Sequence, residues 1–377
     1  MDKKTLEPAY GLAPLHPLME VLGGMLDEDA YGAQWVGTEA TQASLATWWS
    51  GIVCPLTDLG LIQVEGPEAA RFLQSQLTNE VEKQGSDELA LNGYCTAKGR
   101  LLASASQWVE PERISLLVSR PLAAPLAKRL SMFVLRAKAR VHDRSSEHLC
   151  LGVAGAAIGE VLSALGTAAP GAGRVSRGPG GLVALGQEPI PVDPSGGRVA
   201  LGEAPVGIAS GGMERALLLV PMRQVAEVWP ILIRALKPLP SACWRWSEVL
   251  TGQPRITPRT SEHFVPQMVN LDLIGGVSFK KGCYPGQEVV ARSHYLGKLK
   301  RRMFAGALAA DSPLPAPGDD LIAGSGSDPC GEVVLAAQAP GGGVVVLFES
   351  QIAEAAGARI GETPLTPIAL PYAVPCA

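Results

Sequence analysis

The residues best equipped for chemistry lie between positions 275 and 302, in GGVSFKKGCYPGQEVVARSHYLGKLKRR. One cysteine, Cys283, follows the pair Lys280-Lys281. Across the stretch Lys280, Lys281, Arg292, Lys298, Lys300, Arg301 and Arg302 face a single acid, Glu288. The thiolate is the nucleophilic form of cysteine, and nearby cations or a helix N-terminus favour it over the thiol. Pro285, with its fixed φ and missing N–H, suits the first position of a helix running through Glu288, Val289, Val290 and Ala291 to about Tyr295. Gly297 then reads as the C-terminal stop. Cys283 would stand just outside that N-terminus, where free N–H groups and the helix dipole attract negative charge, and Lys281 and Arg292 would add to the positive potential. The same residues also allow a small, inert cysteine beside a solvated lysine face.

The elements that must hold this stretch can be read from periodicity. Residues 1–50 contain Gly23-Gly24 and Trp48-Trp49 and read as a partly helical N-terminal extension with tryptophans as packing anchors. Residues 61–64 read as a strand. Gly66-Pro67 opens a helix with Phe72 beside Leu73, Leu77 and Val81 at four-residue spacing. Residues 89–109 form a hairpin turning at Ala97-Lys98-Gly99-Arg100. A helix over 121–133 and a strand over 137–142 follow. A second α+β segment starts at Leu149 and is interrupted between Gly171 and Gly212 by Gly- and Pro-rich hairpins and loops. Residues 213–220 read as a buried strand, 223–236 as a helix that Pro230 kinks or shortens, and 241–251 as a helix ending at Gly252. Residues 257–270 read as an extended approach. After Arg302, apolar runs at 303–308, 331–337, 344–348 and 358–360, separated by Pro/Gly clusters, have the pattern of a small antiparallel barrel.

Composition narrows the function classes. With 377 residues, 47% of them apolar, the chain is long enough for two or three cored domains. No apolar run reaches the ~20 residues of a membrane span, and the N-terminal MDKKTLEPAY is neither a signal h-region nor a transit peptide, so a cytoplasmic protein is expected. The seven cysteines are scattered without a C-x-x-C pair, which argues against a disulfide framework and against a metal centre built from adjacent ligands. A net charge of −4 gives no general attraction to polyanions, so any such affinity must be local, as in the basic run at 298–302. That patch could meet an anionic ligand, an RNA phosphate or an acidic partner.

The run Lys281-Gly282-Cys283-Tyr284-Pro285-Gly286-Gln287-Glu288 closely resembles the K-G-C-Y-x-G-Q-E signature of the YgfZ family, and the likeness extends from about Thr57 to the C-terminus. Members of that family are folate-binding proteins similar to the aminomethyltransferase of the glycine cleavage system, and they assist assembly or repair of iron–sulfur clusters. The resemblance implies a multidomain α+β protein: an aminomethyltransferase-like folate-binding core over residues 51–300, in two α+β subdomains, and a C-terminal β-barrel over 301–377. It implies tetrahydrofolate or another folate as cofactor, with no permanently bound metal. Iron–sulfur enzymes, including those that modify tRNA, or cluster-assembly proteins would be its partners.

Residue by residue, Cys283 would be the reactive thiol and Lys281 its activator. Gln287 and Glu288 would orient the loop or cap the helix, with Gly282, Tyr284, Gly286 and Arg292 shaping it. Trp244 falls where the family places a folate-side tryptophan. Gln267 and Asn270, in a segment resembling F-I-P-Q-x-x-N-L, could bond a pterin edge or satisfy loop backbone. His263 reads as structural.

Three departures stand out. After the A-K-G turn this chain runs Gly99-Arg100-Leu101-Leu102-Ala103-Ser104, with no counterpart of the aminomethyltransferases' catalytic aspartate. Leu250 stands where those enzymes have a pterin-contacting acid, with Glu248 on another helix face. Leu59 stands in place of a second tryptophan. Without the general base, an accessory role is expected ahead of aminomethyl or one-carbon transfer. An RNA- or partner-binding scaffold acting through the 298–302 run is the third reading.

Overall fold

The computed structural model describes residues 15–37, 43–192, 212–295, 299–324 and 326–375. Gly297 and Lys298, named above, lie outside these residues, as do Cys376 and much of the loop before Gly212.

Three sheets organise the chain. The first has the strand order Leu89–Cys95, Leu101–Glu110, Arg113–Ser119, Leu59–Glu65, Arg140–Asp143, with antiparallel neighbours throughout. Helix Arg120–Val134 lies on it and buries Leu122, Ala123, Leu126, Ala127 and Leu130, a one-sided helical stripe. Gly60 permits the close approach, since a Cβ there would come 2.9 Å from that of Ala123. The helix beginning after Gly66-Pro67 is shorter than its four-residue period suggested. It spans Ala69–Gln74, and Leu77 and Val81 are buried from the turns beyond it. Apolar spacing alone does not separate a helix from a turn that happens to face the same core.

The second sheet runs Val175–Arg177, Val183–Gly186, Arg215–Pro221, His148–Ala154, Ile52–Pro55, Lys237–Pro238. Its pairings are antiparallel except the last, which is parallel. Arg215–Pro221 is buried along its whole length, as a continuous apolar run requires. Helix Val225–Leu232 ends soon after Pro230, which supplies no N–H to the preceding turn. Residues 257–270 are turns leading to a short 3-10 helix, Pro266–Val269, rather than extended chain.

The third sheet closes nearly into a barrel. Its order is Thr363–Pro364, Arg359–Ile360, Asp320–Ile322, Pro329–Gln338, Val344–Gln351, Arg301–Leu308, Thr366–Ile368, all antiparallel. Only Leu365 separates its two edge strands along the chain, so the edges must curl toward each other.

The N-terminal extension holds more than helix. After helix His16–Leu22, which stops at left-handed Gly23, a hairpin pairs Gly24–Asp29 with Gly32–Gly37. Trp35 of the hairpin meets Trp229 edge-on, and Trp48 of helix Leu45–Ser50 meets Trp246 at 4.8 Å. The hydroxyl of Tyr31 accepts the N–H of Ala336 at 2.7 Å and donates to its carbonyl, tying the hairpin to the barrel.

Candidate functional site

The signature residues form a loop and the helix Gln287–Tyr295. Pro285 sits in the turn before the helix rather than at its first position, because Gly286 takes a left-handed φ of 81° there. Gly286 and Gly99 of the A-K-G turn stand back to back. A Cβ on Gly286 would lie 2.5 Å from the Thr96 carbonyl and 2.6 Å from Gly99 Cα, and one on Gly99 would press on Val289. Two side-chain-free positions thus let the hairpin turn seat the signature helix. Beneath the helix, the Gln267 amide donates to the Val290 carbonyl at 2.7 Å, and Asn270, itself left-handed, donates to the Met303 carbonyl of the barrel. Both amides therefore serve backbone.

Lys281 is buried, and its ammonium donates to the carbonyls of Gln74 and Leu77, closing the C-terminal end of helix Ala69–Gln74. The same ammonium lies 5.0 Å from the ring centre of buried Tyr284. Burial pushes Lys281 down to about 8, against the pull of Glu80, Cys283 and Glu82. Lys281 thus anchors the loop while standing within electrostatic range of the thiol. Cys283 itself is exposed, as are Gly282, Glu288 and Arg292; Gln287 is half-buried.

The other described cysteines are different. Cys54, Cys95, Cys150 and Cys330 are buried and Cys243 is partly so. Burial raises the thiols of Cys54, Cys95, Cys150 and Cys243, Cys95 to about 12 and Cys243 to about 11.

The remaining basic residues of the stretch are largely spent inside the protein. Arg302, buried, forks onto Asp272 at 2.6 and 3.0 Å, and Arg301 holds both oxygens of buried Glu349. Of the expected polyanion-binding run, Lys300 is the described member left exposed. The sequence shows the cations but not partners that lie dozens of residues away. His263 pairs with Glu332 of the barrel at 2.6 Å. Among the described residues no three His, Cys, Asp or Glu side chains are gathered as metal ligands.

A second candidate place lies between the first two sheets and the segment after helix Ser241–Leu250. Its cavity measures about 40 Å³ and is lined by Leu59, Leu91, Ser104, Ser106, Leu117, Ser119, Gln187, Leu217, Glu248, Gln253, Arg255 and Leu271 among others. Leu59, read as replacing a tryptophan, does face it. Glu248 also faces it, contrary to the helix-face argument from sequence, because Arg255 draws its carboxylate inward and binds both oxygens at 2.6 and 2.7 Å. Arg255 also holds Asp58 at 2.6 Å, and Asp58 and Asp29 meet Arg245, whose guanidinium lies 4.2 Å from the ring centre of Tyr31. This buried chain of charges, running from the N-terminal hairpin to the cavity wall, was not visible in the sequence.

Trp244 is not in the lining. Its indole packs against Gly152, where a Cβ would run into the ring, and the Arg215 guanidinium lies 5.6 Å from its ring centre. Arg215 is held by Ser247, Thr251 and the Glu188 carbonyl, and burial brings it down to about 10.

A folate ring offers a flat apolar face and a hydrogen-bonding edge. The lining supplies leucines for the one, and for the other a serine hydroxyl, Ser119, that is buried without a partner among the described residues. The residues fit in chemistry. A volume of about 40 Å³ holds a water or two, so the walls must part to admit a ring.

These features define the aminomethyltransferase architecture. The chain superposes on glycine cleavage system aminomethyltransferase T from Bartonella henselae with a TM-score of 0.67, covering 95% of this chain and 96% of that one at 14% identity. No protein-family model matches the chain. Among curated proteins it is similar to tRNA-modifying protein YgfZ of Edwardsiella ictaluri, 31% identical over 64% of this chain and 67% of the relative. It is also similar to that of Colwellia psychrerythraea, 28% identical over 82% and 89%, and of Pectobacterium carotovorum, 29% identical over 71% and 73%. The chain belongs to the YgfZ family.

Proposed function

We propose that the protein is a cytoplasmic, folate-binding accessory factor that supports iron–sulfur enzymes, including enzymes that modify tRNA, with Cys283 as its reactive thiol. One observation carries the reading: Cys283 is exposed in a loop whose flanking residues Lys281 and Tyr284 are buried and fixed, while the other described cysteines are buried or, for Cys243, partly so. A thiol presented that way can exchange sulfur or a cluster ligand with a partner. The relatives' name, tRNA-modifying protein, and the aminomethyltransferase architecture support the same direction.

A reduced folate, when bound, supplies a carrier of one-carbon units. In this chain Ser119, Gln187 and Gln253 would meet its polar edge and Leu59, Leu117 and Leu271 its faces. Trp244 would act from behind the wall, holding helix Ser241–Leu250 against the second sheet. Glu248, the one acid in the lining, is clamped by Arg255 through both oxygens and is poorly placed to take a proton, which favours an accessory role over aminomethyl transfer.

The test combines two measurements. Tetrahydrofolate binding is followed by calorimetry on wild type, Trp244→Ala and Ser119→Ala. In the host strain, the activity of iron–sulfur tRNA-thiomethylating enzymes is compared for wild type and Cys283→Ala. Unchanged enzyme activity in the Cys283→Ala strain would sink the role of the thiol; absence of folate binding to wild type would remove the cofactor.

A further inference from the structure

From residue 113 to residue 142 the chain carries seven Lys or Arg residues and no acid. Arg113 is paired with Glu110, and Arg120 is buried with its guanidinium on the Thr57 and Ser145 carbonyls. That leaves Lys128, Arg129, Arg136, Lys138 and Arg140, gathered on the last turns of helix Arg120–Val134 and the segment after it. Four of them are exposed, and none forms an ion pair among the described residues. Acids share this surface, for Glu110, paired with Arg113, and Glu112 line one cleft with Lys138 and Arg140. Glu68 accepts the backbone N–H of Lys138, and Glu65, opposite Arg140 in the sheet, holds Arg144 and faces His142. Amid these cations Phe133 stands 46% exposed, with the Arg129 guanidinium 5.9 Å from its ring centre, flanked by exposed Met132 and Leu135.

The patch adjoins the signature loop. The Arg129 guanidinium lies near the Tyr94 hydroxyl, Tyr94 bridges to Leu77, and the Leu77 carbonyl is one of the two that hold Lys281.

We propose that this surface binds RNA in a single-stranded or looped segment, with phosphates on Lys128, Arg136 and Lys138 and one unstacked base on Phe133. Cations free of ion pairs among the described residues, beside an exposed aromatic, are the arrangement that tracks a nucleic-acid backbone while stacking a base. A protein partner is the poorer fit, because protein interfaces are depleted in lysine toward their centre and mix charges of both signs. The surface also replaces the 298–302 run as the place for RNA, since Arg301 and Arg302 are neutralised internally. The proposal goes beyond the accessory-factor reading and is measured on the isolated protein, so failure of either leaves the other standing.

Fluorescence anisotropy with a labelled oligouridylate and with unfractionated tRNA, over a range of salt, tests it. Wild type binds both with affinity that falls as salt rises. Lys128→Glu/Arg136→Glu/Lys138→Glu weakens binding and reduces the magnitude of the log–log salt slope by about 2. Phe133→Ala weakens oligouridylate binding roughly tenfold to a hundredfold. Both variants keep the wild-type melting transition, because every altered side chain is exposed. No RNA binding by wild type overturns the proposal. So does equal affinity for a polyglutamate peptide with no effect of Phe133→Ala, an outcome that would assign the surface to an acidic protein.

Discussion

The cavity wall and the Cys283 loop are held in opposite ways. At the cavity, side chains hold side chains: Asp29, Arg245, Asp58, Arg255 and Glu248 form one buried ionic chain, and each charge is tolerable only because its neighbour is present. At the loop, backbone carries the load. Two glycines abut, Lys281 caps helix carbonyls, and Gln267 and Asn270 bond main chain, so Cys283 is displayed without itself bearing any of the structure. A site built on paired charges resists change at every member, whereas a loop built on backbone leaves its reactive group free to change.

The largest effect should follow from breaking the ionic chain. Arg255→Ala strands Glu248 and leaves Asp58 with Arg245 alone, and is expected to cost about 3–5 kcal/mol in urea unfolding; a loss near zero would mean that the wall is wetter than its geometry implies. Next is the glycine seat. Gly286→Ala forces a Cβ onto the Thr96 carbonyl at a left-handed φ and should cost about 2 kcal/mol or more. Gly282→Ala, where nothing lies within 4 Å, should stay within about 0.5 kcal/mol. Equal losses for the two would erase the distinction between seat and display.

Lys281 gives a pH signature. Its folded-state value, lowered from 10.5 to about 8, means that the unfolded chain holds the proton more tightly in that window. The stability of wild type relative to Lys281→Met should therefore rise as pH climbs from about 8 to about 10.5, read from paired unfolding curves; a flat difference would show the ammonium to be solvated. The smallest effect belongs to Cys283→Ala, within about 0.5 kcal/mol of wild type, while native-state titration with a disulfide reagent loses one fast-reacting thiol.

Much of the architecture was legible because it is local. Alternating apolar runs between Pro/Gly clusters marked the barrel strands, and the A-K-G and K-G-C turns were each recognisable from their own residues. What escaped was non-local. That Gly99 and Gly286 meet, that Asp272 and Glu349 neutralise Arg302 and Arg301, and that Arg255 turns Glu248 into the cavity are pairings between distant positions. The hairpin over 24–37 escaped for another reason. Its first strand, GMLDED, is too acidic to alternate cleanly, and it is held in place by Tyr31 of the turn and Trp35 of the second strand rather than by its own pattern.

The Tyr31 hydroxyl carries one more consequence. It bridges 305 positions of sequence to reach Ala336, so this contact of the hairpin cannot form until the barrel strand Pro329–Gln338 exists. During synthesis the N-terminal segment is made first and docked among the last, and the loop closed by that contact is one of the longest the chain offers. Contacts of such high order are slow to form. Refolding of a Tyr31→Phe variant should therefore keep its early phases and change the one in which the two ends of the chain are joined.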